Sequence, residues 1–320
     1  MNEEILGTKP LPRHRRGARF DGFAHAQIES AHIPVLLQEV IHVLDPREGE
    51  FFVDGTAGSG GHTAKLIECV GEKGKILAVD WDEENVVALQ ERFKARRNVI
   101  VLHGNYAELP EMLTEHSLPL AHGLLLDLGF SSSQLSSGRG FSFDRDEPLL
   151  MTYKRDAEPV KNILKRLKEQ ELADLLHHYG EERYSARIAK AIKEVVRKKP
   201  IETSKQLAAI IASVLPLSYE RGRIHPATRT FQALRIYANH ELDNLKMILD
   251  RLGEVLVKGG RVGIISFQSL EDRLVKNILR ELGRESKVKI LTKKVLRPSF
   301  EEIRENPRSR SAKFRAALVI

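Results

Sequence analysis

The chain has 320 residues, 42% of them hydrophobic and 30% charged, enough to bury one sizeable core and a smaller one. No apolar run approaches the roughly 20 residues of a membrane span, and Glu3 and Glu4 with no apolar stretch exclude a signal peptide. The single cysteine, Cys69, excludes an internal disulfide and a cysteine-built zinc site, so a cytoplasmic protein is expected.

Residues 1–31 read as a basic, disordered arm, with Lys9, Arg13, Arg15, Arg16 and Arg19 and no acid over 9–20. A helix is expected over 35–44 and a strand over 51–54, where Phe51-Phe52-Val53 is short, apolar and rich in strand formers. The turn VDGTAGSGGH, 53–62, leads into a helix over 62–70. Strands at 75–80, 99–102 and 123–127 alternate with helices at 83–95 and 107–116. Strands so evenly apolar indicate a parallel sheet covered on both faces.

A fifth strand, 261–267, comes only after a gap far longer than an ordinary βαβ connection. Polar, Ser- and Gly-rich sequence at 129–147 opens that gap, and helices are expected at about 158–177, 182–199, 203–215 and 226–256. Further strands near 287–294 and 314–320 would close the far edge. The expected fold is therefore α/β, a Rossmann-like sheet with a helical substrate-recognition domain inserted at its carboxyl edge. The expected division is 1–31, then 32–134 with 257–320 for the sheet, and 135–256 for the insertion. The final stretch, 284–320, holds eleven Lys or Arg against four Glu. Clustered cations suit a polyanion such as nucleic acid, and a solvated basic tail gives the same pattern.

The glycine turn offers Gly58 and Gly60, but Thr63 stands where a dinucleotide fingerprint wants its third glycine. Asp80 ends the second strand 20 residues beyond Gly60, the separation expected of a carboxylate that accepts ribose hydroxyls. NAD and S-adenosylmethionine both use such an acid. A pyrophosphate favours a bare helix N-terminus, whereas a ligand carrying an ammonium and a sulfonium welcomes acids. Asp54 and Asp127 at neighbouring strand ends therefore favour S-adenosylmethionine, although an aspartate at position 54 also suits turn formation. No His/Asp/Glu cluster argues for a metal.

Successive motifs carry a resemblance: His32-Ile33-Pro34-Val35-Leu36-Leu37, Asp54-Gly55-Thr56 with Gly60-Gly61-His62, Asp127-Leu128-Gly129, Ser131-Ser132 with Gln134-Leu135, Arg139-Gly140-Phe141-Ser142-Phe143, Tyr179-Gly180-Glu181-Glu182-Arg183, His225 through Ile236, Ser269-Leu270-Glu271-Asp272-Arg273, and Asn306 through Ser311. In unbroken order from about residue 31 they resemble the ribosomal small-subunit methyltransferase H family, also called MraW. The resemblance implies methylation of the exocyclic N4 of one cytosine in the decoding centre of small-subunit (16S) ribosomal RNA. The small ribosomal subunit is then the partner, S-adenosyl-L-methionine the cofactor, and the oligomeric state stays open, a dimer included. Gly58, Gly60, Gly61, His62, Asp80, Tyr106, Asp127 and Gln134 would form the cofactor site, with His62, Tyr106 and Gln134 resting on the family alone.

An exocyclic amine has its lone pair delocalised into the ring, so alignment and hydrogen-bond acceptors carry the acceleration. Asp127, which is also a candidate for the cofactor, or nearby backbone carbonyls are assigned as acceptor and Phe130 as a stacking face for the base, with packing under the insertion the other role open to Phe130. Arg139, Phe141, Arg229, Gln232 and Arg235 are assigned to a splayed-out RNA strand. Phe231, Leu234 and Tyr237 follow helical spacing as a core stripe. The sequence departs from the family over Pro148 to Lys154, where Leu150 and Thr152 replace charged residues, and at Gln268, where the family has histidine. An amino-methyltransferase acting on another RNA, a ribosome-assembly binding factor with weak catalysis and, more distantly, a dehydrogenase are the competing readings.

Overall fold

The computed structural model describes residues 33–129, 137–154, 156–216, 218–219 and 224–320. Strands β1 (Phe51–Asp54), β2 (Lys75–Asp80), β3 (Val99–His103), β4 (Ala121–Asp127), β5 (Leu256–Ser266), β6 (Val288–Ile290) and β7 (Lys313–Val319) form one sheet in the order β3-β2-β1-β4-β5-β7-β6. Strands β1 to β5 run parallel to one another, and β7 runs antiparallel to both β5 and β6. The expected α/β class and all seven strands are present. Residues 1–31, expected to be disordered, lie outside the described residues.

Side chains alternate along each strand, so the two faces are built from adjacent residues. Phe52, Ile76, Ala78 and Leu125 pack under α1 (Leu37–Leu44), α2 (Gly61–Val70) and α3 (Glu83–Phe93). Val53, Leu77, Val79, Leu124 and Leu126 face the opposite way, toward α4 (Leu109–Glu115) and the helices that flank β5. Between β4 and β5 the chain leaves the sheet for α5 (Val160–Arg166), α6 (Glu169–Gly180), α7 (Ser185–Val196), α8 (Ser204–Val214) and α9 (Thr228–Ala238). These helices enclose their own core, including Leu164, Leu176, Ile188, Ile192, Leu207 and Leu234.

Two helices expected as continuous are broken, each by a buried polar group. At the first break, the Lys193 ammonium donates to the carbonyls of Leu164 (2.8 Å), Lys165 (3.1 Å) and Leu167 (2.6 Å), taking up acceptors that the end of α5 leaves orphaned. At the second, Asn239 donates to the Met151 and Arg235 carbonyls and accepts from the Tyr153 amide, while His240 turns the chain at a φ of 52°. Helix α10 (Glu241–Asp250) then places Leu245, Ile248 and Leu249 in the sheet core, followed by α11 (Leu252–Val255). The packing of the sheet thus resumes at residue 241. Helix α12 (Ser269–Arg284), which the sequence reading missed, packs Val275, Ile278, Leu279 and Leu282 on that same face, and a short α13 (Phe300–Glu305) follows.

Gly123 in β4 sets how closely Phe52 of the neighbouring strand can approach. A Cβ at that position would stand 2.0 Å from Phe52 Cε1. Gly123→Ala is expected to destabilise the protein by about 1–3 kcal/mol through overpacking, measured by urea unfolding. A loss below about 0.5 kcal/mol would place Gly123 among neutral positions and contradict the tight approach.

Candidate functional site

The strand order reverses between β1 and β4, and open α/β sheets bind ligands in the crevice at such a switch, outside the carboxyl ends of the strands. Here β1, β2 and β4 each end in an aspartate: Asp54, Asp80 and Asp127. The first is a fastener of the turn. Asp54 is buried, and its carboxylate accepts from the Thr63 hydroxyl at 2.6 Å and the Thr56 amide at 3.3 Å. Burial pushes its carboxyl above the ordinary range. It does not line the cavity, so the turn-forming alternative describes it.

Asp80 joins three segments. Its Oδ2 accepts from the Gly58 amide at 2.7 Å, and its Oδ1 accepts from the Asp82 amide at 2.8 Å and Asn85 Nδ2 at 3.1 Å. Burial raises this carboxyl too. A carboxylate offers about four acceptor positions, so Oδ2 keeps one for a ligand. The turn held in this way needs its glycines: Gly58 and Gly60 have φ of 53° and 80°, in the left-handed region that only glycine enters cheaply. A Cβ on Gly60 would meet Leu89 and Phe93 at under 3 Å, and one on Gly61 would stand 2.6 Å from Pro34 Cγ.

Asp127 is set by two hydrogen bonds, its amide donating to Thr56 Oγ1 at 2.6 Å and its Oδ1 accepting from the Gly129 amide at 3.1 Å. Its Oδ2 lies 3.6 Å from His62 Nε2. His62 is buried, and no described residue hydrogen-bonds its Nδ1. Burial opposes charging of this imidazole most strongly, yet Asp127, Asp54 and Glu302 together hold its pKa above the ordinary value.

Gly58, Asp80 and Asp127 border a cavity of about 750 Å³, mouth included. Gly58, Asp80, Trp81, Tyr106 and Asp127 form one side, and Tyr153, Glu241 and Glu271 contribute to the other. Among the described residues four carboxylates line it, and no Lys, Arg or His does. Glu241 is paired with Arg235 at 2.8 and 3.0 Å and also accepts from the Tyr153 hydroxyl at 3.3 Å. Tyr153 leans on Trp81 and stacks on Phe141, each with ring centroids 5.5 Å apart. Arg139 pairs with Asp82 and donates to the Tyr153 carbonyl, closing the segment onto the end of β2. Glu271 enters from the first turn of α12. Its Oε2 accepts from the Phe267 and Gln268 amides at 2.9 and 3.1 Å, and burial pushes its carboxyl up to about 7.

Of the residues expected at a cofactor site, Gly58, Asp80, Tyr106 and Asp127 meet at this cavity, while Gly60, Gly61 and His62 stand behind its turn. Phe130 and Gln134 lie outside the described residues. The five residues assigned to RNA are engaged inside the protein. Phe141 is in the helical core, Arg139 pairs with Asp82, and Arg235 pairs with Glu241. Arg229 donates to the Gly180 and Glu181 carbonyls, and Gln232 to the Tyr179 carbonyl. The sequence reading missed Trp81, Asn85, Tyr153, Glu241 and Glu271. Glu271 stood within a quoted motif, and Trp81, the only tryptophan, directly follows Asp80.

Residues 29–320 match the family model described as the MraW methylase family. Among curated proteins, the chain is 46% identical over 286 residues to a ribosomal RNA small subunit methyltransferase H from Coprothermobacter proteolyticus, covering 89% of this chain and 94% of that one. It is 43% identical over 290 residues to the same-named protein of Persephonella marina, covering 89% and 98%.

The His62–Asp127 pair gives a titration with a definite sign. A raised folded pKa means that the protonated imidazole contributes stability fully present below the unfolded value of 6.5 and lost as pH rises through the folded value. Nuclear magnetic resonance of the His62 ring is expected to give a midpoint above 6.5 that falls in Asp127→Asn. A wild-type midpoint at or below 6.5 would contradict the pairing.

Proposed function

Because the chain belongs to the MraW methylase family, we propose that it is an S-adenosylmethionine-dependent methyltransferase of small-subunit ribosomal RNA, acting on the N4 amine of a decoding-centre cytosine. The observation that carries the cofactor assignment is the lining of the cavity, which among the described residues holds four carboxylates and no basic side chain. A dinucleotide pyrophosphate would meet unfavourable charge there. A ligand with a sulfonium and an ammonium finds compensating charge. The buried Trp81 Nε1, which no described residue accepts from, adds an unused donor at the same cavity.

In this reading Asp80 receives the ribose hydroxyls through the free acceptor position of Oδ2, and Gly58 lets the backbone come close. Tyr106 and Trp81 provide flat apolar surface for the adenine. S-adenosylmethionine supplies a methyl group on a sulfonium that is already a strong donor. The protein's task is therefore to align the amine and to accept from its N–H bonds, drawing the nitrogen toward tetrahedral geometry. Asp127, fixed through Thr56 and Gly129 and facing His62, is the acceptor at the strand end. The target base must leave its stack, at a cost of a few kcal/mol. The basic stretch 284–320 would draw the phosphate backbone toward the site.

Small ribosomal subunits lacking the modification, incubated with the protein and S-adenosylmethionine, are expected to yield N4-methylcytidine at one decoding-centre position by nucleoside mass spectrometry. Asp127→Ala is expected to slow that reaction by about 10²-fold or more. Methylation elsewhere would redirect the reading to another RNA. Cofactor binding without any methylation would favour an assembly factor, and Asp127→Ala at the wild-type rate with normal cofactor binding would remove Asp127 from the chemistry.

A further inference from the structure

The acids around the cavity are occupied to different degrees. Asp80 holds the glycine turn, Asp127 faces His62, and Glu241 is paired with Arg235. Glu271 is 3% exposed and has no ion-pair partner among the described residues. Only its Oε2 serves the fold, by accepting from two backbone amides at the start of α12. No described residue donates to Oε1, and the side chain lines the cavity. The Phe267 ring brings this corner against the end of β4, since a Cβ on Gly129 would stand 2.8 Å from Phe267 Cε2. Glu271 therefore borders the same space as Asp127, from beyond the carboxyl end of the neighbouring strand β5.

Resting on the methyl-transfer reading above, we propose that Glu271 is a catalytic residue, the acceptor of the proton that the substrate amine must release. The amine nitrogen forms a bond to the methyl carbon, and the carbon–sulfur bond breaks with its electron pair on sulfur. The nitrogen, now positively charged, gives one proton to Oε1. The products are a neutral N-methylamine and a carboxylic acid that returns its proton to water. A carboxylate at the end of a helix cap would do its structural task with one oxygen in any case; here the other accepts from no described residue, and the side chain lines the cavity.

The protonation of Glu271 is governed by the groups that face it. Burial and Glu241 of α10 push its carboxyl up, and Arg235 of α9 together with the Phe267 and Gln268 amides pulls it down. Tyr106 feels the same charge from across the cavity, and Asp127 shares the lining. A carboxyl raised to about 7 is a better proton acceptor at neutral pH than an ordinary one. A cationic ligand beside it would lower that value and keep it ionised before the reaction.

The test uses the full chain, S-adenosylmethionine and small subunits lacking the modification, with single-turnover rates measured across pH. Glu271→Gln keeps a carbonyl oxygen for the two amides and loses the acceptor that faces the cavity. The wild-type rate is expected to rise with pH to a plateau, with a midpoint at about 7 or below. Glu271→Gln, at saturating S-adenosylmethionine, is expected to be about 10²- to 10⁴-fold slower and to lack that rise, with Tm unchanged and cofactor affinity, read by calorimetry, weakened by far less than the rate. A drop below about 10-fold, a rise that persists in the variant, a rate that saturating cofactor restores, or a lower Tm would overturn the assignment. Wild-type protein that methylates nothing would overturn the methyl-transfer reading, and this proposal with it. Active wild type beside an equally active Glu271→Gln would strike Glu271 alone.

Discussion

Two buried carboxylates hold the turn between β1 and α2 in place, and the geometry of the carboxyl edge follows from them. Asp54 joins the strand end to the first turn of α2 through Thr63, and Asp80 joins the tip of the turn at Gly58 to the second strand and the start of α3. Burying two such groups is unfavourable, as their raised carboxyls record. The hydrogen bonds they accept offset that cost and fix the backbone where a ligand must approach it. Thr56, set in the same turn, then carries the constraint across to Asp127 on β4.

The opposite wall is built with equal economy by the segment that departs from the family pattern. Tyr153 lies in the altered run 148–154, yet it closes the cavity by leaning on Trp81 and donating to Glu241. Asn239 ties that run to the break between α9 and α10. The helical body and the sheet therefore share one cavity wall. Arg235 neutralises Glu241 within it, while Asp80 and Asp127 are held by hydrogen bonds and by His62, and Glu271 has no ion-pair partner among the described residues. This division of labour explains how a cavity dense in carboxylates is tolerated at all.

Much of the fold was legible because its signals are local. The seven strands declared themselves through short apolar runs, and the insertion through a gap too long for a crossover. The broken helices were not legible, because Lys193 and Asn239 act on carbonyls and amides distant in sequence. Helix α12 was missed although Leu274, Val275, Ile278, Leu279 and Leu282 carry its period. At the site, strand-end position exposed Asp80 and Asp127 as candidates. Asp54 shares that position, but an aspartate before a glycine turn also suits turn formation, and it proved to be a fastener. Trp81, Tyr153, Glu241 and Glu271 reach the cavity from four separate stretches of chain, and no spacing rule joins them. Arg235 and Phe141 looked like RNA contacts by residue type, and burial gave them internal partners.

The central claim is that an acid-lined cavity at the strand ends selects a cationic cofactor over a dinucleotide. Calorimetric titration of the protein with S-adenosylmethionine and, separately, with NAD tests it most directly. The account predicts saturable binding of S-adenosylmethionine, tighter than NAD by orders of magnitude and weakened as pH falls and the lining acids are protonated. NAD binding as tight as that of S-adenosylmethionine, or an affinity indifferent to protonation of those acids, would contradict it.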